Sequence, residues 1–463
     1  MEHSKGGRAC FLAALVLVWT FPCSVLADEI AGPVSYDLDV RIDPEPGDIA
    51  VKGRVEFENP GSRRFQFNLH DTFSVKALLV NGSPAKFSFA PAEFSPFTPA
   101  AKVVVVEMPP DVPPGSLRMD IEYAGRLRKL PEFGAAPEGS PSMDDQVNSH
   151  LVELAGFSSW YPQFFFGGAP VHAEFQLSLP QGWVSIGSGK KLEDRVDAGR
   201  SITRWSSPRD LDLLIVASPN FRQRTFRQSG VDIEIYHTQM PEKFVEAEVQ
   251  QIASVVQLYT DRLGETDIPG GRVRHVYSPR LKGQGKAGTA RPGLIVTSEG
   301  ITLESLAADP HFSLFQPIAH EIAHFWWNFG AGQGDWINEA SAEYSSAVAV
   351  QKTASDAEFR SILDDYRNQV RALPADAPSL ATVPFINDEV RYVVRYFKSA
   401  LLLHFLRESL GDEGFFAACR EFFQAYETRP VGTPEFRTYW KTRLADRGSA
   451  VDLWLDSPGG LPH

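Results

Sequence analysis

Two histidines and a glutamate within five consecutive residues are the first candidates for chemistry in this chain of 463 residues. His320 and His324 lie four positions apart, and Glu321 directly follows the first histidine. The surrounding pattern predicts a helix, so both imidazole rings share one of its faces. Zinc accepts such ligands and keeps an open position for water, whose proton the neighbouring glutamate can move. The spacing therefore predicts a hydrolytic site with one zinc ion and Glu321 as general base.

The competing interpretation is a surface helix that carries two solvated histidines. Six apolar residues surround the motif: Ile318, Ala319, Ile322, Ala323, Phe325 and Trp326. A helix that is apolar on most sides is buried, and buried histidines and carboxylates need a partner. The flanking residues therefore favour a metal site over a solvated helix surface.

A third ligand is expected on the following helical segment, Trp336–Tyr344, which contains two glutamates four positions apart. One of Glu339 and Glu343 can bind zinc, while the other accepts the free ring N–H of a ligand histidine. The alternative is that both are solvated surface carboxylates, which their apolar neighbours disfavour. The residues alone leave open which glutamate is the ligand.

These two segments together resemble the gluzincin aminopeptidase family, of which alanyl aminopeptidase is a familiar member. The family carries H-E-x-x-H and then a Trp-Leu-Asn-Glu-Gly segment whose glutamate is the third zinc ligand. Residues 336–340 match that segment, which implies that Glu339 binds zinc and Glu343 supports a ligand histidine. The family spacing is four residues longer and would select Glu343. The Gly-rich connector 329–334 is typical of a shortened loop, so we expect Glu339.

A second element of the resemblance is a tyrosine on a later helix, in a Tyr-x-Lys-Gly-Ala setting. Tyr396 begins the similar segment 396–400, with Tyr392 one turn earlier. The resemblance implies that the Tyr396 phenol donates a hydrogen bond to the oxyanion of the tetrahedral intermediate. Without that context, a tyrosine in an apolar helix would be interpreted as a core residue.

The recognition of the substrate's amino end is where this sequence departs from the family. Family members carry a Gly-x-Met-Glu-Asn strand whose glutamate binds the free amine. The aligned stretch here runs from Gly288 to Arg291, with Ala290 at the position of that glutamate. Glu153 lies in a segment similar to another amine-binding element of the family. The resemblance therefore implies that Glu153, Gly288 and Arg291 contact substrate. The alternative interpretation of Glu153 is an ordinary loop residue.

The wider sequence predicts an α+β protein with two domains. Apolar–polar alternation interrupted by turn residues predicts an antiparallel β domain over residues 28–222, and the helical pattern that follows predicts a mainly helical domain over residues 223–463. The family resemblance implies that this second domain is a thermolysin-like catalytic domain. The predicted strands are 36–42, 51–57, 64–69, 75–80, 103–106, 118–123, 174–179, 211–217, 231–236, 272–277 and 294–297. A helix is predicted over 241–263, mostly helical chain after 313, and loops over 89–99, 109–114 and 130–141. The large C-terminal helical domain of many relatives has no counterpart, so we expect a more open site.

The first 27 residues have the pattern of a secretory signal. Lys5 and Arg8 form a short basic region, an apolar run covers 9–21, and small residues precede Asp28, where cleavage is expected. We therefore predict an exported protein, periplasmic or secreted, with no stable membrane insertion after cleavage. An uncleaved anchor is the alternative, although the run is short for a bilayer span of about 20 residues.

Composition excludes some classes of function. The formal charge is −13 at pH 7, so nucleic acid is not an expected partner. Cys419 is the only cysteine after the signal, which excludes an intrachain disulfide in the mature chain. The expected partner is a short peptide substrate, and nothing in the sequence indicates the oligomeric state.

The expected function is that of a zinc metallopeptidase, most simply an aminopeptidase. Ala290 and Arg291 motivate a first rival, an endopeptidase or a hydrolase of peptides with blocked amino ends, since arginine suits a carboxylate better than an amine. The second rival is a zinc-binding protein without turnover, which Glu321 argues against.

Overall fold

The computed structural model describes residues 31–59, 61–91, 101–127, 146–164, 171–210, 212–280, 288–330, 334–384 and 388–462. The predicted signal sequence and the predicted loop over 130–141 lie outside the described residues. So do most of the predicted loop over 89–99 and the centre of the Gly-rich connector.

The first half of the described chain is built almost entirely of strands. They are β1 Ala31–Asp43, β2 Asp48–Asn59, β3 Arg64–His70, β4 Ser74–Val80, β5 Ser83–Pro84, β6 Lys86–Pro91, β7 Ala101–Glu107, β8 Gly115–Arg126, β9 Gln146–Val147, β10 Val152–Leu154, β11 Val171–Pro180, β12 Val184–Gly187, β13 Lys190–Asp197, β14 Arg200–Asp210 and β15 Ile215–Ser218. Alternate residues of β1 are buried, from Val34 to Ile42, as expected for a strand with one face on the core.

These strands form three sheets. The largest has the order β13-β14-β11-β1-β2-β8-β4-β5, a second β3-β7-β6, and a third β12-β15-β10-β9. All pairings are antiparallel except that of β1 with β11. An antiparallel β domain was predicted, and the structure agrees.

The second half combines one sheet with helices. Its elements are β16 Arg222–Gln228, β17 Val231–His237, α1 Glu242–Leu263, β18 Arg272–Ser278, β19 Gly288–Arg291, β20 Leu294–Ser298, α2 Glu299–Ala308, α3 Phe315–Ala323, α4 Trp336–Thr353, α5 Asp356–Arg371, α6 Glu389–Tyr392, a π-helical segment Val393–Lys398, α7 Ser399–Tyr426, α8 Thr433–Leu444 and α9 Ser449–Asp456. The sheet order is β16-β17-β18-β20-β19, with a parallel centre and antiparallel edges. The predicted α+β arrangement, a β domain before a mainly helical one, is confirmed.

The five-stranded sheet separates the two hydrophobic cores. Val276 and Val296 point to the β domain and belong to its core, whereas Val273 and Ile295 belong to the core of the helical domain. This alternation follows from the two faces of a strand. Because β19 is an edge strand of the sheet and packs against α3, one sheet edge lies beside the predicted metal site.

Helix α3 is held in place by its buried apolar residues, by a hydrogen bond from α1, and by one that the chain directly after α3 donates to the C-cap residue of α1. The Tyr259 hydroxyl donates to the carbonyl of Ala319 (3.0 Å), and the Trp326 indole donates to the carbonyl of Gly264 (2.9 Å). All six apolar residues that flank the motif are buried, which contradicts the solvated-helix interpretation.

Several sequence-based assignments were wrong or incomplete. The strand predicted over 211–217 begins only at Ile215, because the preceding amides bond to side chains: Leu213 N–H to the Tyr161 hydroxyl (3.3 Å) and Leu214 N–H to the Ser188 hydroxyl (3.0 Å). The hairpin β13–β14, the strand β16 and the helix α2 were not predicted. Strand β13 is an exposed edge rich in charge, which hides the apolar alternation of a strand.

Candidate metal centre and active site

Helix α3 carries the first two candidate ligands at its carboxyl end. His320 lies in its last turn and His324 is its C-cap residue, still with helical dihedral angles (φ −64°, ψ −10°). The two ring centroids are 5.0 Å apart. A helical turn between the histidines thus brings both rings to one point, as the four-residue spacing predicts.

Helix α4 brings the Glu339 carboxylate against these rings. Its Oε2 atom lies 3.4 Å from His320 Nε2 and 3.6 Å from His324 Nε2, and it is buried without a hydrogen-bond partner. Ligand atoms bound tetrahedrally to zinc at about 2.0–2.1 Å are roughly 3.4 Å apart. Within the described residues, these three side chains are the only group of three or more candidate ligands that could hold a metal ion. The donor set and its spacing fit zinc.

Glu343 lies one turn beyond Glu339 and contacts the opposite nitrogen of His320. Its Oε2 atom is 2.8 Å from His320 Nδ1, and its Oε1 atom accepts a hydrogen bond from the Tyr366 hydroxyl. A histidine ligand commonly donates its second N–H to a carboxylate in this way, which fixes the tautomer. The geometry therefore favours Glu339 as the ligand and Glu343 as the residue that orients His320.

His324 is oriented in the same manner by the backbone. Its Nδ1 lies 3.0 Å from the carbonyl of Trp327, which can only accept a hydrogen bond. The proton of the neutral ring must therefore be on Nδ1, which leaves the Nε2 lone pair directed at the site.

Opposite charges face each other at the centre. Burial raises the pKa of Glu339, but the close approach of His320, the charge of His324 and that of Arg395 outweigh it and hold that pKa well below its usual value. Burial lowers the pKa of His320, but Glu339 and Glu343 outweigh it and raise that pKa well above its usual value. We therefore expect zinc binding to compete with protonation of His320.

Glu321 faces strand β19 at Gly288. A Cβ atom added to Gly288 would stand 2.5 Å from Glu321 Oε1 and 3.0 Å from its Cδ. No larger residue fits unless the carboxylate moves. Gly288, predicted to contact substrate, is thus the residue that leaves room for the candidate general base beside the sheet edge.

Tyr396 stacks on the metal-site histidine. Its ring centroid is 5.8 Å from that of His320 with an interplanar angle of 10°, and the Tyr392 ring also stacks on it, with centroids 4.2 Å apart. Burial raises the pKa of Tyr396 well above its usual value, so the phenol stays a proton donor. The π-helical segment that contains it adds a residue per turn, a distortion common at functional sites.

The structure places the other two predicted substrate contacts in ion pairs, that of Glu153 buried and that of Arg291 partly buried. Glu153, on β10, accepts hydrogen bonds from Arg280 Nε (2.9 Å) and the Ser278 hydroxyl (2.6 Å), and a second one from Arg280. Arg291 donates to Asp212, with Asp210 at 3.7 Å. Both pairs join the β domain to the five-stranded sheet. The partners Arg280 and Asp212 were not predicted, because pairs more than 70 residues apart leave no local pattern.

The sequence of this chain was compared with protein families and with individual proteins. No protein-family model matches the chain. Aminopeptidase N of Lactococcus lactis subsp. lactis is 28% identical over 165 residues, a match that covers 31% of this chain and 18% of that relative's length. Within the described part of the chain, every helix is too short or too polar to cross a membrane.

Solved structures agree over nearly the whole chain. The M1 zinc metallopeptidase of Deinococcus radiodurans has a TM-score of 0.71 at 19% identity, covering 94% of this chain and 96% of that one. A two-domain M1 zinc metallopeptidase bound to L-arginine gives 0.72 at 19% identity, with the same coverage. Leukotriene A4 hydrolase of Saccharomyces cerevisiae gives 0.70 at 16%, covering 94% of this chain and 69% of that one.

The fold is therefore that of the two-domain M1 zinc metallopeptidases, a β domain followed by a mainly helical domain. The resemblance to the gluzincin aminopeptidase family, first drawn from residues 320–324 and 336–340, is confirmed by these similarities of fold and sequence.

Proposed function

We propose that this protein is a zinc metallopeptidase that hydrolyses short peptides from their amino end. The observation that carries the proposal is the buried, unpartnered Oε2 atom of Glu339, which lies between the Nε2 atoms of His320 and His324. The similarity to aminopeptidase N and to an M1 peptidase bound to an amino acid supports it. One zinc ion at these three side chains is part of the proposal.

Each polar residue of the site has a place in this reaction. When bound, zinc would polarise the scissile carbonyl and make the attacking water more acidic. Glu321 accepts the proton of that water and returns it to the leaving amine. The Tyr396 hydroxyl donates a hydrogen bond to the oxyanion of the tetrahedral intermediate. Glu343 and the Trp327 carbonyl keep the two histidine rings in the required tautomer.

Replacing Glu321 with glutamine tests the proposal. Glutamine has the same shape but cannot accept the water's proton, so we expect Glu321→Gln to lose at least about 100-fold in kcat. Zinc content, measured by atomic emission, should stay at that of the wild type. The matched control is Glu246→Gln on the exposed face of α1, which should keep full activity. Retained hydrolysis by Glu321→Gln would remove the assigned base.

The pairing of Glu153 favours a second candidate function, a zinc peptidase that accepts blocked amino ends. The Glu153 carboxylate already bonds to Arg280 and Ser278, and Ala290 provides no other carboxylate on β19. A panel of short peptides with free and acetylated amino ends separates the candidates. Cleavage of free peptides alone indicates an aminopeptidase, cleavage of both indicates the second candidate, and cleavage of neither indicates a zinc-binding protein without turnover.

We also propose that the protein is exported, to a periplasm or to the outside. The support is the basic, apolar and small-residue pattern of residues 1–27, with cleavage before Asp28. Mass spectrometry of the protein from a secreting host tests it. A mature chain that begins at Asp28 is expected, and an intact amino end in the cell fraction would contradict export.

A further inference from the structure

A buried arginine lies behind the proposed zinc ligand. Arg395, in the π-helical segment, is 2% exposed. Its Nη2 atom forms an ion pair with Asp335 and lies 4.0 Å from Oε1 of Glu339, and its guanidinium stands 5.7 Å from the Tyr396 ring centroid. The Arg395 side chain thus contacts Asp335, directly before α4, and lies near both the proposed ligand Glu339 and the candidate oxyanion donor Tyr396.

The two carboxylates are related by helix geometry. Asp335 is the N-cap residue of α4, and Glu339 lies four positions later, so both point to the same side of the first turn. Two like charges on one buried face repel each other unless a cation lies between them. The Arg395 guanidinium provides that cation, and it lies on the Oε1 side of Glu339 while Oε2 faces the histidines.

Each end of this arrangement is anchored. The Asp335 carbonyl accepts from the backbone N–H of Asn338 (2.9 Å), and the Asn338 side chain donates to Gly330 (3.1 Å). On the other side, Lys398 donates to the carbonyls of Ser457 (2.6 Å) and Gly459 (2.9 Å), which ties the π-helical segment to the carboxyl-terminal tail. The guanidinium is thus held between two fixed elements.

Stability alone is a weak explanation for this ion pair. Removing two charges from water costs several kcal/mol per ion, and a well-packed apolar pair would often serve stability as well. A buried pair placed directly behind a ligand carboxylate instead resembles the outer contacts that orient metal ligands.

We propose that Arg395 is a positioning residue, which with Asp335 fixes the Glu339 carboxylate for zinc and couples α4 to the segment that carries Tyr396. The proposal rests on the proposed zinc site at His320, His324 and Glu339. It concerns residues of this chain, and zinc affinity tests it independently of any peptide hydrolysis.

The test is competition for zinc against a chromophoric chelator. Outer contacts of metal ligands typically contribute about 10- to 100-fold in metal affinity, so Arg395→Met should weaken zinc binding by that factor. Arg395→Lys, which keeps the charge, should recover part of the loss. The matched control is Arg407→Met. It removes another buried arginine, which forms an ion pair with Asp412 on α7, and it should leave zinc affinity unchanged.

Folding is followed by circular dichroism on the same samples. If Arg395→Met does not fold, Asp335→Asn removes the partner charge at nearly constant shape and should weaken zinc binding in the same direction. A folded Arg395→Met or Asp335→Asn protein with wild-type zinc affinity would overturn the inference, as would an Arg395→Lys protein no better than Arg395→Met. Failure of the wild type to bind zinc would instead refute the proposed function.

Discussion

Replacing Glu343 with alanine removes both contacts by which this carboxylate orients the zinc site. His320 Nδ1 loses its acceptor at 2.8 Å, and the buried Tyr366 hydroxyl loses the acceptor of its hydrogen bond. The three proposed ligands remain in place. We therefore expect Glu343→Ala to bind zinc more weakly but still in a ratio of one per chain, whereas Glu339→Ala should lose stoichiometric zinc.

The magnitude follows from these two contacts. Loss of a carboxylate that orients a ligand histidine costs about 10- to 100-fold in metal affinity, which corresponds to about 1.4–2.8 kcal/mol. Two buried donors without an acceptor cost about 1–3 kcal/mol each, so the free energy of unfolding should also fall by roughly 2–6 kcal/mol. The zinc effect should be smaller than that of deleting a ligand.

The assay is chelator competition at fixed pH, together with urea unfolding of the zinc-free proteins. Glu246→Ala on the exposed face of α1 is the control, with neither quantity expected to change beyond about 0.5 kcal/mol. If Glu343→Ala lost stoichiometric zinc while Glu339→Ala kept it, the two glutamates would exchange roles and the reasoning from geometry would be refuted.

Three further predictions concern the same site. Gly288→Ala should lower kcat with zinc content unchanged, because the added Cβ would lie only 2.5 Å from Glu321 Oε1 and would displace that carboxylate. A kcat equal to that of the wild type in steady-state kinetics would refute the close approach. Tyr396→Phe should lower kcat by about 100-fold and leave zinc affinity alone, and an unchanged kcat would return Tyr396 to a core role. Zinc binding at pH 7 should release about one proton, because the pKa of His320 is raised well above its usual value and its Nε2 must lose a proton to bind. Calorimetry in buffers of different ionisation enthalpy counts that proton, and zinc affinity should weaken as pH falls. Zinc binding without proton release would contradict the raised pKa of His320.

Much of the fold and the proposed metal centre could be predicted from local patterns. The positions of His320 and His324 follow from a four-residue helical spacing, and their burial follows from the apolar residues around them. Glu339 was preferred over Glu343 on the Trp-Ile-Asn-Glu segment against the residue count, and the distances to the two histidines favour the same choice. These features depend on residues close together in sequence, where helix geometry dictates the outcome.

The remaining features depend on pairs that are distant in sequence. Glu153 was expected to be available for a substrate amine, but Arg280 lies 127 positions away and occupies it. Arg395, which lies 4.0 Å from Glu339, belongs to the π-helical segment 393–398, and no pattern in the sequence predicts that backbone conformation. The one available signal was the position of Asp335 directly before Trp336, at the start of the ligand helix. A buried cation near Asp335 and Glu339 could have been inferred from that position, although the residue that provides the cation could not.

X-ray diffraction at the zinc absorption edge tests the central claim most directly. Crystals of the zinc-loaded protein should show one anomalous peak per chain, bonded to Nε2 of His320, Nε2 of His324 and a carboxylate oxygen of Glu339 at about 2.0–2.2 Å. Glu343 should remain on Nδ1 of His320. A peak bonded to Glu343, or no peak at the two histidines, would contradict the account.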